Sequence, residues 1–450
     1  MSTAVLILAA GHGSRMKSKR PKVLHHIGSA PMLWHAMQRA QMIKADKTIV
    51  VVGHGGEAVE KSAKTFDSTA DIIWQKQQKG TGHAVQQAAD ILKDFEGDVI
   101  ILYGDTPFIR PETLRAMQDA RAAGNSVVVL GFEAKDPAKY GRLMMEGDQL
   151  DAIIEAKDCT KAQLDITFCN SGVIAAPAKT LFSLLNDMRD GNASGEFYLT
   201  DIIAIARAQG LSCTAISCEQ AETMGINSRH DLATAEATFQ QSAQSAALDN
   251  GVTLTAPQSV HFAFNTDIAP DVTIEPNVFF GPNVSIQSGT TIHAFSHLEG
   301  CHIGPDCQIG PYARLRPGTT LEIAAKVGNF VEIKAADIKE GTKVNHLTYV
   351  GDAVIGAGTN IGAGTIFCNY DGANKYHIEV GNRVFIGSNS ALVAPLTIKD
   401  DAFVATGSVI TDNVPDAALA IARTRQINKP GLGKRLMEKA KAIKAAKAAK

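Results

Sequence analysis

Leu8-Ala-Ala-Gly-His-Gly-Ser-Arg-Met16 follows directly on a short apolar run and has the residue types that hold a phosphate. Gly11 and Gly13 let a backbone turn approach an anion closely, its N–H groups can point at the charge, and Arg15 adds a cation. A bare Gly-x-Gly is weakly specific, and two commoner phosphate motifs are disfavoured. Met16 replaces the third glycine of Gly-x-Gly-x-x-Gly, no acid ends the apolar run at 50–52 to hold a ribose, and no Gly-Lys-Ser/Thr follows. The loop gains weight from its company. Pro21-Lys22-Val23-Leu24 supplies a lysine, Gln75 with Gly80-Thr81-Gly82-His83-Ala84 supplies a second glycine turn before a helix, and Tyr103-Gly104-Asp105 ends the apolar run at 99–102. An acid at a strand end is by itself as often a turn or cap residue; beside Tyr103-Gly104, after a buried strand, Asp105 reads as functional.

A second set lies far along the chain. His346 stands between Asn345 and Tyr349, and an imidazole titrates near neutral pH, which suits a general base. Arg316 and Lys334 taken alone are ordinary surface cations.

The elements that must position these two sets differ in period. Up to about residue 226, short Val/Ile/Leu runs at 4–8, 48–52, 99–102 and 127–130 alternate with amphipathic stretches at 32–41, 84–92 and 111–123. That rhythm predicts an α/β domain with a mainly parallel sheet, because strands buried on both faces read as continuous apolar runs. Ligands then bind at the carboxyl ends of the strands. Residues 229–250 hold no Pro and no Gly and read as a connecting helix ended by Asn250-Gly251. The expected division is therefore 1–228, a helical linker at 229–250, and 251–450.

Beyond the linker the period becomes six. An aliphatic residue, once Phe, recurs at Ile268, Ile274, Phe280, Ile286, Ile292 and Leu298, then at Ile303, Ile309, Leu315, Leu321, Val327 and Ile333. It continues at Ile338, Val344 and Val350, at Ile355 and Ile361, and at Val380, Ile386, Leu392, Ile398, Val404 and Ile410. Small residues such as Thr290, Ser296, Ala313, Thr319, Thr342, Ala402 and Ser408 commonly follow four later. Such a repeat predicts a parallel β-helix of between seven and eight coils, roughly 35 Å long at about 4.8 Å per coil. A sandwich of short antiparallel strands would show period two. His346 falls at the third place of its hexad, away from the inward first place. Between Ile366 and Val380 the hexads lapse, which predicts an extruded loop, and such loops on rigid scaffolds tend to carry function. From Lys434 onward seven Lys or Arg face one acid, Glu438, as in a solvated helix or a disordered basic tail.

At 450 residues, two or three cores are expected. A net charge of -2 gives no general pull toward nucleic acid or anionic membrane, so any anion site must be local. The apolar run at the start is too short to span a bilayer, and seven Cys without paired spacing point to a reducing cytoplasm.

The first half, with Tyr140-Gly141-Arg142, Glu155-Ala156-Lys157-Asp158, Asn170-Ser171-Gly172 and Gly225-Ile226-Asn227 added, resembles the sugar-nucleotide pyrophosphorylases of nucleotidyltransferase fold. The second half resembles the bacterial bifunctional N-acetylglucosamine-1-phosphate uridyltransferases and glucosamine-1-phosphate acetyltransferases. It does so through the stretches at 309–318, 327–334, 345–352, 360–364, 368–375, 385–388 and 420–423. The resemblance implies a Rossmann-like α/β domain followed by a left-handed parallel β-helix of hexapeptide repeats. Left-handedness runs against the general preference for right-handed parallel connections and rests on the resemblance alone.

It further implies a cytoplasmic homotrimer that uses Mg²⁺, UTP and acetyl-CoA to turn glucosamine-1-phosphate, through N-acetylglucosamine-1-phosphate, into UDP-N-acetylglucosamine for peptidoglycan and lipopolysaccharide synthesis. By the same resemblance Asp105 and Asn227 hold the metal, and Arg15 and Lys22 neutralise phosphates. Leu8, Ala9, Ala10, Gly11, Tyr103 and Gly104 line the nucleotide site, Gln75, Gly80 and Thr81 hold the uracil, and Gly141, Glu155 and Asn170 hold the sugar. Arg316, Lys334 and Lys375 fall to the amino-sugar phosphate, Tyr349 and Asn360 to the amino sugar, and His346 to the base. Ala363, Ser388, Thr406 and Arg423 fall to acetyl-CoA, with Asn369 and Tyr370 at both amino sugar and acetyl-CoA. Thr406 departs from the family's Ala, a change that a backbone contact survives. A different pyrophosphorylase with a regulatory β-helix is the alternative, and it gives no reason for His346 beside Tyr349.

Overall fold

The computed structural model describes residues 2–188 and 197–448. It divides into two compact units, Met1–Ser245 with Phe262–Phe264, and Ala246–His261 with Asn265–Lys450.

The first unit is built on a sheet whose strands run, edge to edge, Cys213–Cys218, Val127–Glu133, Phe168–Pro177, Asp98–Tyr103, Thr3–Ala9, Lys47–Val52 and Asp71–Trp74. Only Phe168–Pro177 runs antiparallel to its neighbours on this path. Side chains alternate across a strand, so Val5, Ile7 and Ala9 enter one core while Ala4, Leu6 and Leu8 enter the other. The first core is covered by helices Met32–Met42, Gly56–Phe66 and Pro111–Ala122; the second by Thr81–Gln86, Ala178–Asn186 and Asp201–Ala208. Burial on both faces explains the uninterrupted apolar runs. The helix expected over 84–92 is regular only to Gln86 and continues as turns, although Ala88 and Leu92 remain buried. Past Gln86 the hydrogen bonds are mixed: Ala88 and Ala89 bond back three residues while Leu92 bonds back four to Ala88, so apolar spacing persists without a regular helix.

Helix Arg229–Asp249 is followed by a strap, Phe262–Phe264, that belongs to the first unit.

 The helix Arg229–Asp249 holds that strap through Gln240, whose side chain pairs with both backbone groups of Phe262 at 2.8 Å. Phe264 donates its N–H to the Gly28 carbonyl and sets its ring edge-on to His35 at 4.6 Å. Burial pushes the His35 imidazole down to about 4, so it stays neutral and can bond the Ile27 carbonyl at 2.9 Å.

The second unit is a parallel β-helix. Each of the hexad positions from Ile268 to Ile410 named above is buried. Successive coils pair in register, with Ile274, Ile292, Ile309, Val327, Val344, Ile361, Ile386 and Val404 stacked in one column. This column has ten strands, more than the seven to eight coils expected, because pairing extends past the hexads to Thr253–Leu254 and Leu419–Ala420. Buried hydroxyls are paired: Thr290 donates to the Gly304 carbonyl at 2.9 Å and Thr342 to that of Gly356 at 2.7 Å. Corner residues take positive φ, often Asn or Asp as at Asn277, Asn283 and Asp306, the types that tolerate it best.

The insertion begins later than its apolar pattern suggested. Phe367 is buried and keeps the six-residue period after Ile361, stacking on Leu392 of the next coil, while Ile366 is exposed. The extruded part closes on itself through a Tyr370–Lys375 bridge. The basic tail forms helix Leu432–Ala448, with no buried residue. No described helix is long and apolar enough to cross a membrane.

A fragment of residues 1–264 should unfold at a higher urea concentration than one of 1–228, by about 2–4 kcal/mol. The shorter piece loses the rings of Phe239 and Phe264, both of which pack edge-on to His35, and the Gln240 pairing with Phe262. Equal midpoints in urea titrations followed by circular dichroism would show that the strap contributes nothing.

Two candidate active sites

The carboxyl ends of Thr3–Ala9 and Asp98–Tyr103 open on a cavity of about 330 Å³. Leu8, Ala9, Ala10, Gly11, Lys22, Gln75, Gly80, Thr81, Tyr103 and Asp105 all line it. Gly104 is tied to the loop by donating its N–H to the Leu8 carbonyl at 3.0 Å. Gly13 has φ +59°, and a Cβ there would lie 2.6 Å from that of Lys22, so a glycine is what lets the lysine fold over the loop. Lys22 Nζ donates to Asp105 in a close ion pair and to Asn227 Oδ1 at 3.0 Å. The 225–227 segment is held there by the Ile226 N–H, which donates to the Asp105 carbonyl at 3.0 Å. A carboxylate and an amide oxygen thus converge on one cationic atom. Among the described residues no group of three or more His, Cys, Asp or Glu could hold a metal ion, so a cation here would need ligands from water or phosphate.

Gly141, Glu155 and Asn170 form a neighbouring cluster. A Cβ on Gly141 would sit 3.7 Å from Asn170 Cβ and from Glu155 Oε1, and the Asn170 N–H donates to the Gly141 carbonyl at 2.8 Å. Burial raises the Glu155 carboxyl above its ordinary range. Tyr103, whose phenol burial also pushes up, packs against Gly172 and so joins this cluster to the cavity. Arg15 stands exposed on the turn Ser14–Met16 and holds no hydrogen bond or ion pair among the described residues.

On the β-helix, His346 lies on strand Lys343–His346, two residues past the inward Val344. The residues two past the next inward positions are Ala363, Ser388 and Thr406, and the one before is Asn329. Backbone bonds stitch this corner together: Leu347 N–H to Asn329 O at 3.1 Å, Gly364 N–H to His346 O at 3.3 Å, Asn389 N–H to Ala363 O at 2.8 Å and Gly407 N–H to Ser388 O at 2.8 Å. Four of the residues singled out in the sequence therefore form one row, which spans roughly 14 Å at the coil spacing. His346 Nδ1 is 2.9 Å from Asn329 Oδ1.

Arg316 and Lys334 each follow a stacked inward residue, Leu315 and Ile333, and so stand on adjacent coils. The insertion returns Lys375 against Lys334, whose ammonium lowers the Lys375 pKa. Arg316 is met by Glu332 at 2.7 Å and Lys334 by Asp352 at 3.6 Å. Asn369 donates to Asp352, and a Cβ on Gly351 would strike both Tyr349 Oη and Asn369 Nδ2, which puts these side chains together. Asn360 pairs with Lys343 one coil from the His346 strand. Tyr370 donates its hydroxyl to Gly372 O at 2.6 Å within its own loop, and Arg423 is exposed beyond the last strand; neither is bonded into the row.

Residues 5–162 match the model of the MobA-like NTP transferase domain, and residues 377–412 that of the hexapeptide repeat of succinyl-transferase. Over its full length the chain is 57% identical to the bifunctional protein GlmU of Ruegeria sp. (strain TM1040), covering 100% of both chains. The chain belongs to the GlmU family. It is 54% identical to the GlmU of Cereibacter sphaeroides (strain ATCC 17025 / ATH 2.4.3) over 97% of this chain and 96% of that protein. Membership makes it a bifunctional enzyme, a nucleotidyltransferase and an acyltransferase in one chain.

Several residues to which the sequence alone assigned no role stand in contact with the sites. Asn329 is one, and the signal for it was the 17-residue step that separates it from His346. Glu332 and Asp352 are others, found only by knowing which coils touch. His83 bonds Gln75.

Arg142 is 2% exposed and has no acidic partner among the described residues; its guanidinium donates instead to the carbonyls of Pro137, Ala138, Tyr140 and Leu164. It thereby ties the backbone just before Gly141 to the end of the helix Lys161–Leu164. Arg142→Met should cost about 2–4 kcal/mol in urea unfolding, since those carbonyls lose their donor. Arg142→Lys should recover little of it, because an ammonium lacks the planar fork. Wild-type stability in both variants would show that water replaces the guanidinium.

Proposed function

We propose that the second unit acetylates glucosamine-1-phosphate with acetyl-CoA and that the first transfers UMP from UTP to the resulting N-acetylglucosamine-1-phosphate, releasing pyrophosphate. The product is UDP-N-acetylglucosamine, a precursor for peptidoglycan and lipopolysaccharide. The observation that carries this reading is the row His346, Ala363, Ser388 and Thr406 along one corner, together with the three cations gathered at Lys334. A linear thioester laid along such a corner would end at an imidazole, and Arg316, Lys334 and Lys375 suit the phosphate of the acceptor. A β-helix serving only regulation would need neither feature.

The amine of glucosamine-1-phosphate must be free to attack the thioester carbonyl, and the nitrogen sheds a further proton as the tetrahedral intermediate collapses. His346 accepts that proton. Asn329 Oδ1, accepting from Nδ1–H, leaves Nε2 as the basic nitrogen. Tyr349, Asn360, Asn369 and Tyr370 orient the amino sugar, and Arg423 adds a cation for the acetyl-CoA phosphates.

In the first unit a sugar-phosphate oxygen attacks the α-phosphorus, and the work is positioning and neutralisation of charge. Gly11 and its neighbours lay backbone N–H groups against the phosphates, Lys22 and Arg15 offset the charge, and Gly141, Glu155 and Asn170 hold the sugar. Asp105 and Asn227 would hold Mg²⁺: their oxygens already converge on a cation, Lys22, and hard oxygen donors suit that ion. Bound there, Mg²⁺ supplies further neutralisation of phosphate charge. The seven free cysteines fit a reducing cytoplasm. Exposed Val409, Leu419 and Ile421 at the last coil suit burial in a homotrimer.

Asp105→Ala should lower uridylyl transfer by orders of magnitude at saturating Mg²⁺ and leave acetyl transfer unchanged. Retention of most uridylyl transfer removes Asp105 from the site. His346→Ala and His346→Asn should each lose about 10²–10⁴ in acetyl transfer, with uridylyl transfer intact. A variant keeping more than about a tenth of wild-type acetyl transfer across pH 6–9 would make His346 a corner residue and nothing more.

A further inference from the structure

Asp352 takes φ +50° within the strand Tyr349–Ile355 and divides its carboxylate between two partners. One oxygen accepts from the Asn369 amide, and the other lies 3.6 Å from the Lys334 ammonium. A carboxylate paired with an ammonium only accepts, so the NH₂ end of Asn369 is the end that faces it. Lys334 and Asp352 keep only 19% and 23% of their side chains exposed, and Asn369 is 6% exposed. This is therefore not the freely solvated ion pair that contributes little.

Asn369 is the foot of the insertion. Its backbone carbonyl accepts the Tyr376 N–H at 2.8 Å, and the next pair outward, Tyr370 and Lys375, is bridged. Whatever holds Asn369 therefore also holds the backbone of Lys375, whose ammonium stands against that of Lys334. Two ammonium groups side by side repel, and a loop free to move would part them. Lys334 comes from the preceding coil, where it is in register with Gly351. Asp352 thus joins three stretches distant in sequence: the Lys334 strand, its own strand and the foot of the loop.

We propose that Asp352 is a positioning residue of the acceptor site: it ties the foot of the insertion to the Lys334 coil and so holds Lys375 where the acceptor's phosphate is received. The proposal rests on the reading that Lys334 and Lys375 bind that phosphate. Two roles for an acid at this place predict opposite signs. As no more than a negative charge near the phosphate, Asp352 repels the acceptor, and its removal tightens binding. As a tie, its removal frees Lys375 and weakens binding.

The test is the KM for glucosamine-1-phosphate in acetyl transfer by the full chain, with the KM for acetyl-CoA and uridylyl transfer read on the same preparations. KM does not depend on the folded fraction. Asp352→Ala should raise the acceptor KM about tenfold or more and leave the other two unchanged. The backbone admits the change, since Ala335 holds the same place one coil earlier at φ +45°. Asp352→Asn, whose amide can still pair with that of Asn369, should stay within about threefold of wild type. Should Asp352→Ala not turn over, equilibrium binding of glucosamine-1-phosphate reads the same comparison. An acceptor KM that falls or does not move in Asp352→Ala overturns the tie, and so does an Asp352→Asn variant as impaired as Asp352→Ala. The reading beneath it falls instead if the wild-type chain does not acetylate glucosamine-1-phosphate, or if Lys334→Met leaves the acceptor KM unchanged.

Discussion

Each coil of the β-helix must place an aliphatic side chain directly over that of the coil below, and the rest of the second unit follows from this constraint. Val327, Val344, Ile361, Ile386 and Val404 can share one buried column only if the chain returns to the same register every turn. Positions two residues past them are then repeated as strictly as the core itself. The corner row of Asn329, His346, Ala363, Ser388 and Thr406 is a by-product of hydrophobic burial. Function needed only to choose which side chains stand in a row already made straight.

The first unit meets a different constraint with the same outcome. Strands buried on both faces leave their carboxyl ends as the only places where polar groups can face a ligand without being sealed in. Leu8 to Gly11 and Tyr103 to Asp105 end adjacent strands, and Asn227 comes to them from far along the chain. With Asp105 and Asn227 oxygens facing one another, the Lys22 ammonium satisfies both, so lysine and carboxylate are fixed in the cavity without a ligand.

How much of this was legible depended on the range of the interaction. The six-residue period was readable because every coil repeats the same burial, and the strands of the first unit because their runs are apolar without interruption. The start of the insertion was hidden by two adjacent apolar residues, Ile366 and Phe367, of which only the second is buried. The turns after Gln86 were hidden because Ala88 and Leu92 keep a buried apolar spacing although Ala88 and Ala89 bond back only three residues. Contacts such as Lys22 with Asn227 carry no periodic signal, and only resemblance named those residues together. Asn329 beside His346 and His83 beside Gln75 escaped notice because each pairing needs a length or an orientation that the residue type does not encode.

The insertion shows why a loop breaking the repeat can still hold a charge in place. Asp371 accepts the N–H groups of Asn374 and Ala373 and the Tyr376 hydroxyl, and these bonds hold its carboxyl down to about 2. The loop is therefore closed by an acid that stays ionised at any pH at which the protein works. Its closure returns Lys375 to Lys334, two like charges that a free chain would separate. Glu332 and Asp352 offset part of the charge of Arg316 and Lys334, and the remainder is positive. Under the proposed function, a phosphate bearing two negative charges would relieve that repulsion where a neutral sugar would not, so the geometry that costs stability in the empty site would favour a phosphorylated acceptor.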